Sequence, residues 1–262
     1  MKLSISNIAW PNIFDEAMYK IMKDLGFLGL EIAPTKLFSD KPYEKKREAI
    51  LWKDQIQDQF GFEISSIQSI WYGQSERIFG TSEDRKKLIA YTQKAIDFAE
   101  AINCGNLVFG CPQNRIIPKD GDIQIAVRFF RELGDYAAAH HTIIAMEANP
   151  PIYHTNFLNT TPDTISFVEA VNSNGFLLNL DIGTMIENSE EISILYGKEH
   201  LINHVHISEP GLKPIRERLL HKELAGFLKE KKYQGFVSIE VGQQENIREL
   251  QKMMEYVKIL FG

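Results

Sequence analysis

The sequence predicts a single (β/α)8 barrel, an α/β fold with parallel strands inside and helices outside, over residues 1–262. Three observations lead there. Short apolar, β-branched runs alternate strictly with longer amphipathic stretches, eight of each. The connections are short, so successive strands must run parallel, each return crossing over through a helix. The first strand leads into Asn7-Ile8-Ala9-Trp10-Pro11, without the glycine-rich turn that an open doubly wound sheet presents to a phosphate.

In chain order the strand runs are Lys2–Ser6, Leu28–Ile32, Glu63–Gln68, Asn106–Phe109, Thr142–Glu147, Phe176–Asp181, Ile202–Ile207 and Phe236–Val241. The helical stretches between them are Phe14–Leu25, Tyr43–Phe60, Glu83–Ile102, Ile123–His140, Thr161–Val171, Glu190–Lys198, Ile215–Lys231 and Glu245–Leu260. Gly26, Gly61, Gly105, Gly175 and Gly235 each stand just before a strand, where a helix should stop. The irregular stretches 71–82, 111–122, 148–160 and 208–214 all follow strands, so they share the face on which barrels of this kind keep their chemistry.

Hydrophobic residues make up 44% of the chain and charged residues 24%, as in ordinary globular proteins with room for a large core. A net charge of −6 argues against a dedicated nucleic-acid surface. The two cysteines, Cys104 and Cys111, form no CxxC pair, which excludes a disulfide scaffold and a thiolate metal site and fits a reducing compartment. MKLSISNIAWPN lacks the apolar segment of a signal peptide, and no run approaches the roughly 18 residues of a membrane span. The expectation is a cytoplasmic protein with no membrane or nucleic-acid partner. A homo-oligomer is left open.

The informative residues end the last four strands. TIIAME ends at Glu147, FLLNLD at Asp181 and GFVSIE at Glu240, while INHVHIS carries His204 and His206 on one side of its pleat. The successive gaps, Glu147 to Asp181, Asp181 to His206 and His206 to Glu240, are 34, 25 and 34 residues, each about one β/α unit. One acid at a strand end is more often a helix cap or a surface pair. Three carboxylates on one rim repel each other unless a cation or protonation compensates. A divalent ion held by Glu147, Asp181, His206 and Glu240 resolves the conflict and leaves positions open for substrate oxygens. The oxygen-rich set favours Mn²⁺, Mg²⁺ or Co²⁺, and Zn²⁺ also fits.

Through GLEIA, VFGCPQNR, MEANP, LDIG, HVHISEPG and GFVSIE, nearly the whole chain resembles the xylose-isomerase-like TIM barrel superfamily, which includes sugar phosphate isomerases and epimerases. The resemblance implies four metal ligands from strands five to eight, here Glu147, Asp181, His206 and Glu240, and a small carbohydrate as substrate. It also implies that Glu147 and Glu240 form the acid/base pair that moves a carbon-bound proton through an enediolate. The sequence departs from the family in two places. Thr184 stands where many relatives have a substrate-contacting His, and the Arg that follows the strand-seven His in ketose epimerases has no clear counterpart in SEPGLKPIRERLLH.

Other polar residues suggest substrate contacts, each with a plainer alternative. Asn7 and Trp10 follow strand one, where Trp10 either faces a sugar or packs the rim. Glu31 and Gln68 end strands two and three and either hold substrate hydroxyls or cap helices. His204 points the same way as His206, one layer deeper, as a hydrogen-bonded supporting residue. Arg115 either meets an anionic substrate group or forms a surface ion pair. His154, in the loop after strand five, either closes over the ligand or is solvated. His221 either faces the site or packs in its helix. Three other functions compete with isomerisation or epimerisation: a dehydratase on the same ligands, a three-metal nuclease and a non-catalytic sugar-binding barrel. The nuclease would need histidines where Gln68 and Thr184 stand.

Overall fold

A computed structural model describes residues 1–262. The strands are β1 (Lys2–Ser6), β2 (Gly29–Ile32), β3 (Glu63–Ile67), β4 (Leu107–Phe109), β5 (Ile144–Glu147), β6 (Phe176–Asp181), β7 (Ile202–Ile207) and β8 (Phe236–Ile239). They close into a barrel in sequence order, every pair parallel, with β8 returning to β1 through Lys2–Phe236 to Ile5–Ile239. The seam between β3 and β4 is the thinnest, held in register by the single pair Ile67–Leu107. Outside lie α1 (Asp15–Asp24), α2 (Pro34–Leu37), α3 (Lys46–Phe60), α4 (Ser82–Ala101), α5 (Ile123–Ala139), α6 (Thr161–Val171), α7 (Ile182–Glu187), α8 (Leu219–Glu230) and α9 (Ile247–Phe261). No helix is long and apolar enough to cross a membrane.

The clearest correction lies between β6 and β7. The expected helix at Glu190–Lys198 is replaced by α7, which starts at the strand end, and by 3-10 turns at Ile192–Leu195 and Glu199–Leu201. Asp181 Oδ1 accepts the Gly183 N–H and so caps a helix there. The chain then reverses at Ser189, in the left-handed region at φ 56°. Glu190 is spent on the Thr161 N–H and the Asn188 amide. The helix expected from Ile215 begins instead at Leu219, because the Ile215, Arg216 and Arg218 N–H groups donate to Met253 Sδ, Glu209 Oε1 and the Tyr256 hydroxyl.

Gly26 and Gly61 end their helices in the left-handed conformation, at φ 75° and 80°. At the other junctions that conformation falls on Asn103, Asn172 and Lys232, two or three residues ahead of Gly105, Gly175 and Gly235. Gly29 is required for space: a Cβ there would lie 2.5 Å from Phe236 Cε1 and 2.8 Å from Ser65 Cβ. On the far side of the wall a chain of edge-on and tilted aromatic contacts joins barrel to helices. Trp71 meets Phe109 at 4.6 Å, Phe109 meets Phe130 at 4.8 Å, and Phe130 meets Phe176 at 5.0 Å. This packing fixes β4 and β6 against α5, and so fixes where their C-terminal ends point.

Candidate active site and metal centre

Strand register delivers the polar ends to one rim. Glu147 pairs with Asn179, Asn179 with His204, Asp181 with His206, and His206 with Ser238; Glu240 follows the end of β8. His206 is wholly buried between two sets of acids. Its Nδ1 lies 3.0 Å from Glu147 Oε1 and 3.3 Å from Glu240 Oε2, and its Nε2 lies 2.9 Å from Glu31 Oε2. The same Glu31 oxygen lies 3.0 Å from His204 Nε2, and its other oxygen accepts Gln68 Nε2 at 3.0 Å.

Glu31 therefore decides the tautomer of His206. A buried carboxylate needs donors, so Nε2 carries the proton and Nδ1 is left to present its lone pair. Asn179 Nδ2, a donor, lies 3.2 Å from that Nδ1, which suits a lone pair there. Two carboxylate oxygens facing a lone pair repel it, and either a second proton or a cation relieves the repulsion. Burial alone would lower the His206 pKa, but Glu31 and Glu240 outweigh it and hold it well above the usual imidazole range. Burial would likewise raise Glu31, yet His206 and His204 hold it well below the usual carboxylate range. Asp181 is pushed up to about 7, first by burial and then by Glu147 and Glu240. Burial also raises Glu240, against the pull of His206. The rim thus carries more negative charge than its surroundings stabilise.

This donor set fits a divalent ion. Ligand bonds of about 2.0–2.4 Å at right angles place neighbouring ligand atoms about 3 Å apart, as His206 Nδ1 is from each glutamate oxygen. Glu147, His206 and Glu240 offer one ligand atom each, all within 4.8 Å of one another. Asp181 faces the same cavity but stands outside that cluster. Its Oδ1 accepts the Gly183 N–H at 2.8 Å and the Ser208 hydroxyl, and its Oδ2 accepts the Thr184 hydroxyl at 3.2 Å. Each carboxylate oxygen has two lone-pair sites, so Oδ2 keeps one for a further partner.

Above the cluster lies a cavity of about 210 Å³, lined among others by Gln68, Glu147, Asn149, Tyr153, Asp181 and Glu240. Both oxygens of Glu147 are held by amides: Asn179 Nδ2 donates to Oε1 at 2.7 Å and Asn149 Nδ2 to Oε2 at 3.1 Å. Gly110 keeps the space beside Oε2 open, since a Cβ there would sit 3.1 Å from it. Tyr153 accepts the Gly211 N–H at 2.9 Å, tying the loop after β5 to the loop after β7.

Several expected substrate contacts lie elsewhere. Trp10 is wholly buried, with Nε1 donating to Asp15 at 2.7 Å and its ring edge-on to Tyr19, so it packs the rim and presents no face to a sugar. Asn7 is buried, with Oδ1 accepting the Ala33 N–H, and it fastens the loop after β1 to β2. Glu31 and His204 sit one layer below the rim and support His206. Gln68 reaches the cavity, while its amide also bonds Ser6 and Glu31. Arg115 is neither exposed nor part of the cavity lining. It is wholly buried behind β5, and Nη1 donates to the Glu147 carbonyl at 2.8 Å. Thr184 braces Asp181 and the Ala148 carbonyl from outside the cavity. His154 is exposed at φ 60° and Tyr153 takes the cavity position beside it. His221 is buried in α8 against the Tyr256 hydroxyl, away from the rim.

Three supporting residues escaped the sequence reading: Asn149, Asn179 and Ser208. Each lies two residues from a ligand-type residue, at Glu147, Asp181 and His206 respectively. The period-two rule that placed His204 beside His206 applies to them equally.

Residues 19–257 match the xylose isomerase-like TIM barrel family, and the chain belongs to it. Among curated protein sequences none is matched. Among solved structures, D-psicose 3-epimerase from Clostridium cellulolyticum H10, crystallised with D-tagatose, superposes with a TM-score of 0.82 at 18% identity, covering 100% of this chain and 99% of that one. The 3-keto-D-glucoside 4-epimerase of E. coli superposes with a TM-score of 0.79 at 20% identity, over 99% of both chains. The probable 3-DHS dehydratase of Bacillus anthracis gives 0.71 at 18% identity, over 98% of both. At these identities the likeness is one of fold.

Proposed function

We propose that the protein is a divalent-metal-dependent isomerase or epimerase of a small sugar or sugar phosphate, with Glu147 and Glu240 as the acid/base pair. The observation that carries this reading is His206 Nδ1, held 3.0 Å from Glu147 and 3.3 Å from Glu240 by a buried carboxylate behind it. Mn²⁺, Mg²⁺ or Co²⁺ suits the donor set best, held by Glu147, His206 and Glu240, with Asp181 as the fourth ligand. A bound divalent ion supplies Lewis acidity to a substrate carbonyl and its neighbouring hydroxyl.

The chain's own residues do the rest. One glutamate takes the proton from the carbon beside the carbonyl, and the C–H electrons move into the enediolate. Returning a proton to the opposite face gives the epimer; returning it to the neighbouring carbon gives the isomer. Asn149 and Asn179 hold Glu147 in one orientation, which supplies the fixed geometry that proton transfer needs. The Tyr153–Gly211 contact holds Tyr153 in the cavity lining.

The test combines metal analysis with solvent-deuterium exchange on a panel of pentoses, hexoses and their phosphates. Exchange that requires the metal and is lost in Glu147→Gln supports the reading. Metal-dependent loss of water without exchange assigns the same carboxylates to a dehydratase. No metal uptake, or exchange indifferent to Glu147 and Glu240, overturns it.

A further inference from the structure

A second cavity, of about 710 Å³, opens beside the first on the same face of the barrel. Ile8 and Ser69 line both, so the two form one cleft from the β5–β8 carboxylates to the loops after β2 and β3. The first part, at about 210 Å³, lies below the roughly 300–1,000 Å³ of pockets that take drug-sized ligands, and is suited to a few carbons and their oxygens. The second part has room for a further group.

Its lining reverses the charge of the first. Lys36 and Lys41 line it, no carboxylate does, and Thr35, Ser39 and Tyr72 add hydroxyls. Lys36 donates to the Asn7 carbonyl at 2.8 Å and to the Trp10 carbonyl, which leaves one of its three N–H donors free. Burial lowers the pKa of Lys36, with Asp15 as the acid that offsets it; an ammonium short of water gains most from an anion. Lys41 is exposed on a left-handed turn at φ 44°. In a chain of net charge −6, a cleft with acids at one end and two lysines at the other is matched to a ligand of opposite polarity.

We propose that the second cavity is an anion subsite, and that the substrate is a sugar carrying a terminal phosphate ester, its carbonyl end at Glu147 and Glu240 and its phosphate at Lys36 and Lys41. A phosphate monoester brings nearly two negative charges and three acceptor oxygens, enough for both ammoniums and the neighbouring hydroxyls. The substrate assignment rests on the isomerase/epimerase reading; the anion subsite does not.

Unreactive polyols test the subsite by calorimetry: ribitol against ribitol 5-phosphate, and glucitol against glucitol 6-phosphate, on the metal-loaded protein. At least one ester should bind roughly tenfold or more tightly than its parent, as charge-assisted hydrogen bonds imply. Added salt should narrow that gap. Lys41→Asn removes the charge and keeps a side chain suited to the left-handed backbone; it should lose most of the gap and leave the parent polyols unchanged. Equal affinities for ester and parent, or a gap that survives Lys41→Asn, overturn the proposal. So does tighter binding of an uncharged disaccharide alcohol such as maltitol, which would assign the cavity to a second sugar. Deuterium exchange separates the two readings. Ester-selective binding without exchange on any phosphorylated sugar keeps the subsite and refutes the isomerase/epimerase reading, whereas exchange on unphosphorylated sugars alone does the reverse.

Discussion

Glu31 touches no part of the cavity, yet its loss should weaken metal binding. Its Oε2 accepts His206 Nε2 at 2.9 Å and His204 Nε2 at 3.0 Å, and no water reaches any of the three groups. Glu31→Gln keeps the volume and removes the charge. The amide can still offer one oxygen to one imidazole, but it no longer favours an Nε2 proton on both. His206 is then free to take the other tautomer, with the proton on Nδ1 and no lone pair for a metal. Supporting carboxylates of this kind are worth about 10- to 100-fold in metal affinity, or about 1.4–2.7 kcal/mol. Without metal, the variant also loses a buried ion pair, at a cost on the order of 3 kcal/mol. A chelator-competition titration of Mn²⁺ or Co²⁺ measures the first effect, and urea unfolding of the metal-free protein the second. A folded Glu31→Gln protein that binds metal within twofold of wild type would refute the argument, because His206 would then not depend on Glu31.

The other predictions concern separate parts of the molecule. Glu147→Gln and Glu240→Gln should each lower turnover by about 10²–10⁴-fold; retained turnover with metal bound reduces both residues to ligands. His221, buried in α8, has its pKa pushed down to about 4, chiefly by burial. Its neutral form suits the fold, so that stability is complete above about pH 6.5, the unfolded value, and is lost as pH falls toward 4, by about 3 kcal/mol in all. In urea titrations between pH 7 and 4, His221→Gln should show a shallower loss than wild type, and parallel curves would contradict the assignment. Gly29→Ala pushes a Cβ into Phe236 and Ser65 and should cost about 1–3 kcal/mol in unfolding free energy. An unchanged midpoint would mean that Phe236 moves aside freely.

What the sequence discloses here is direction along each strand, and what it hides is depth. TIIAME, FLLNLD and GFVSIE end in acids after apolar runs, so the eight-strand alternation and the rim positions of Glu147, Asp181 and Glu240 could be read directly. The same period-two rule shows that Glu31 and Gln68 point to the barrel axis, but it does not say how far below the rim they lie. Depth depends on the stagger of neighbouring strands, including the register shifts at Leu30/Glu31 and Leu178/Asn179. Arg115 is hidden for another reason. An Arg in a loop reads as exposed, and only the turn at Cys111, in the left-handed region at φ 43°, folds it back under β5. The segment Glu190–Lys198 has helical spacing of apolar residues, yet the cap at Asp181 begins a helix nine residues earlier and uses up the connection.

The depth of those residues explains why strands that supply no rim ligand still carry polar side chains. Ser6 on β1 bonds Gln68 after β3, Gln68 bonds Glu31 on β2, and Glu31 bonds His204 and His206 on β7. His206 in turn reaches Glu147 on β5 and Glu240 after β8. Buried polar groups are tolerated only when nearly all are satisfied, so this column ties β1, β2 and β3 to β7 through two imidazoles, and His206 alone carries it on to Glu147 and Glu240. Moving β1, β2 or β3 by a fraction of an ångström would break a buried hydrogen bond before it changed any rim distance. The strands without ligands thereby set the proton position on His206, and with it whether the three carboxylates of the rim face a proton or a cation.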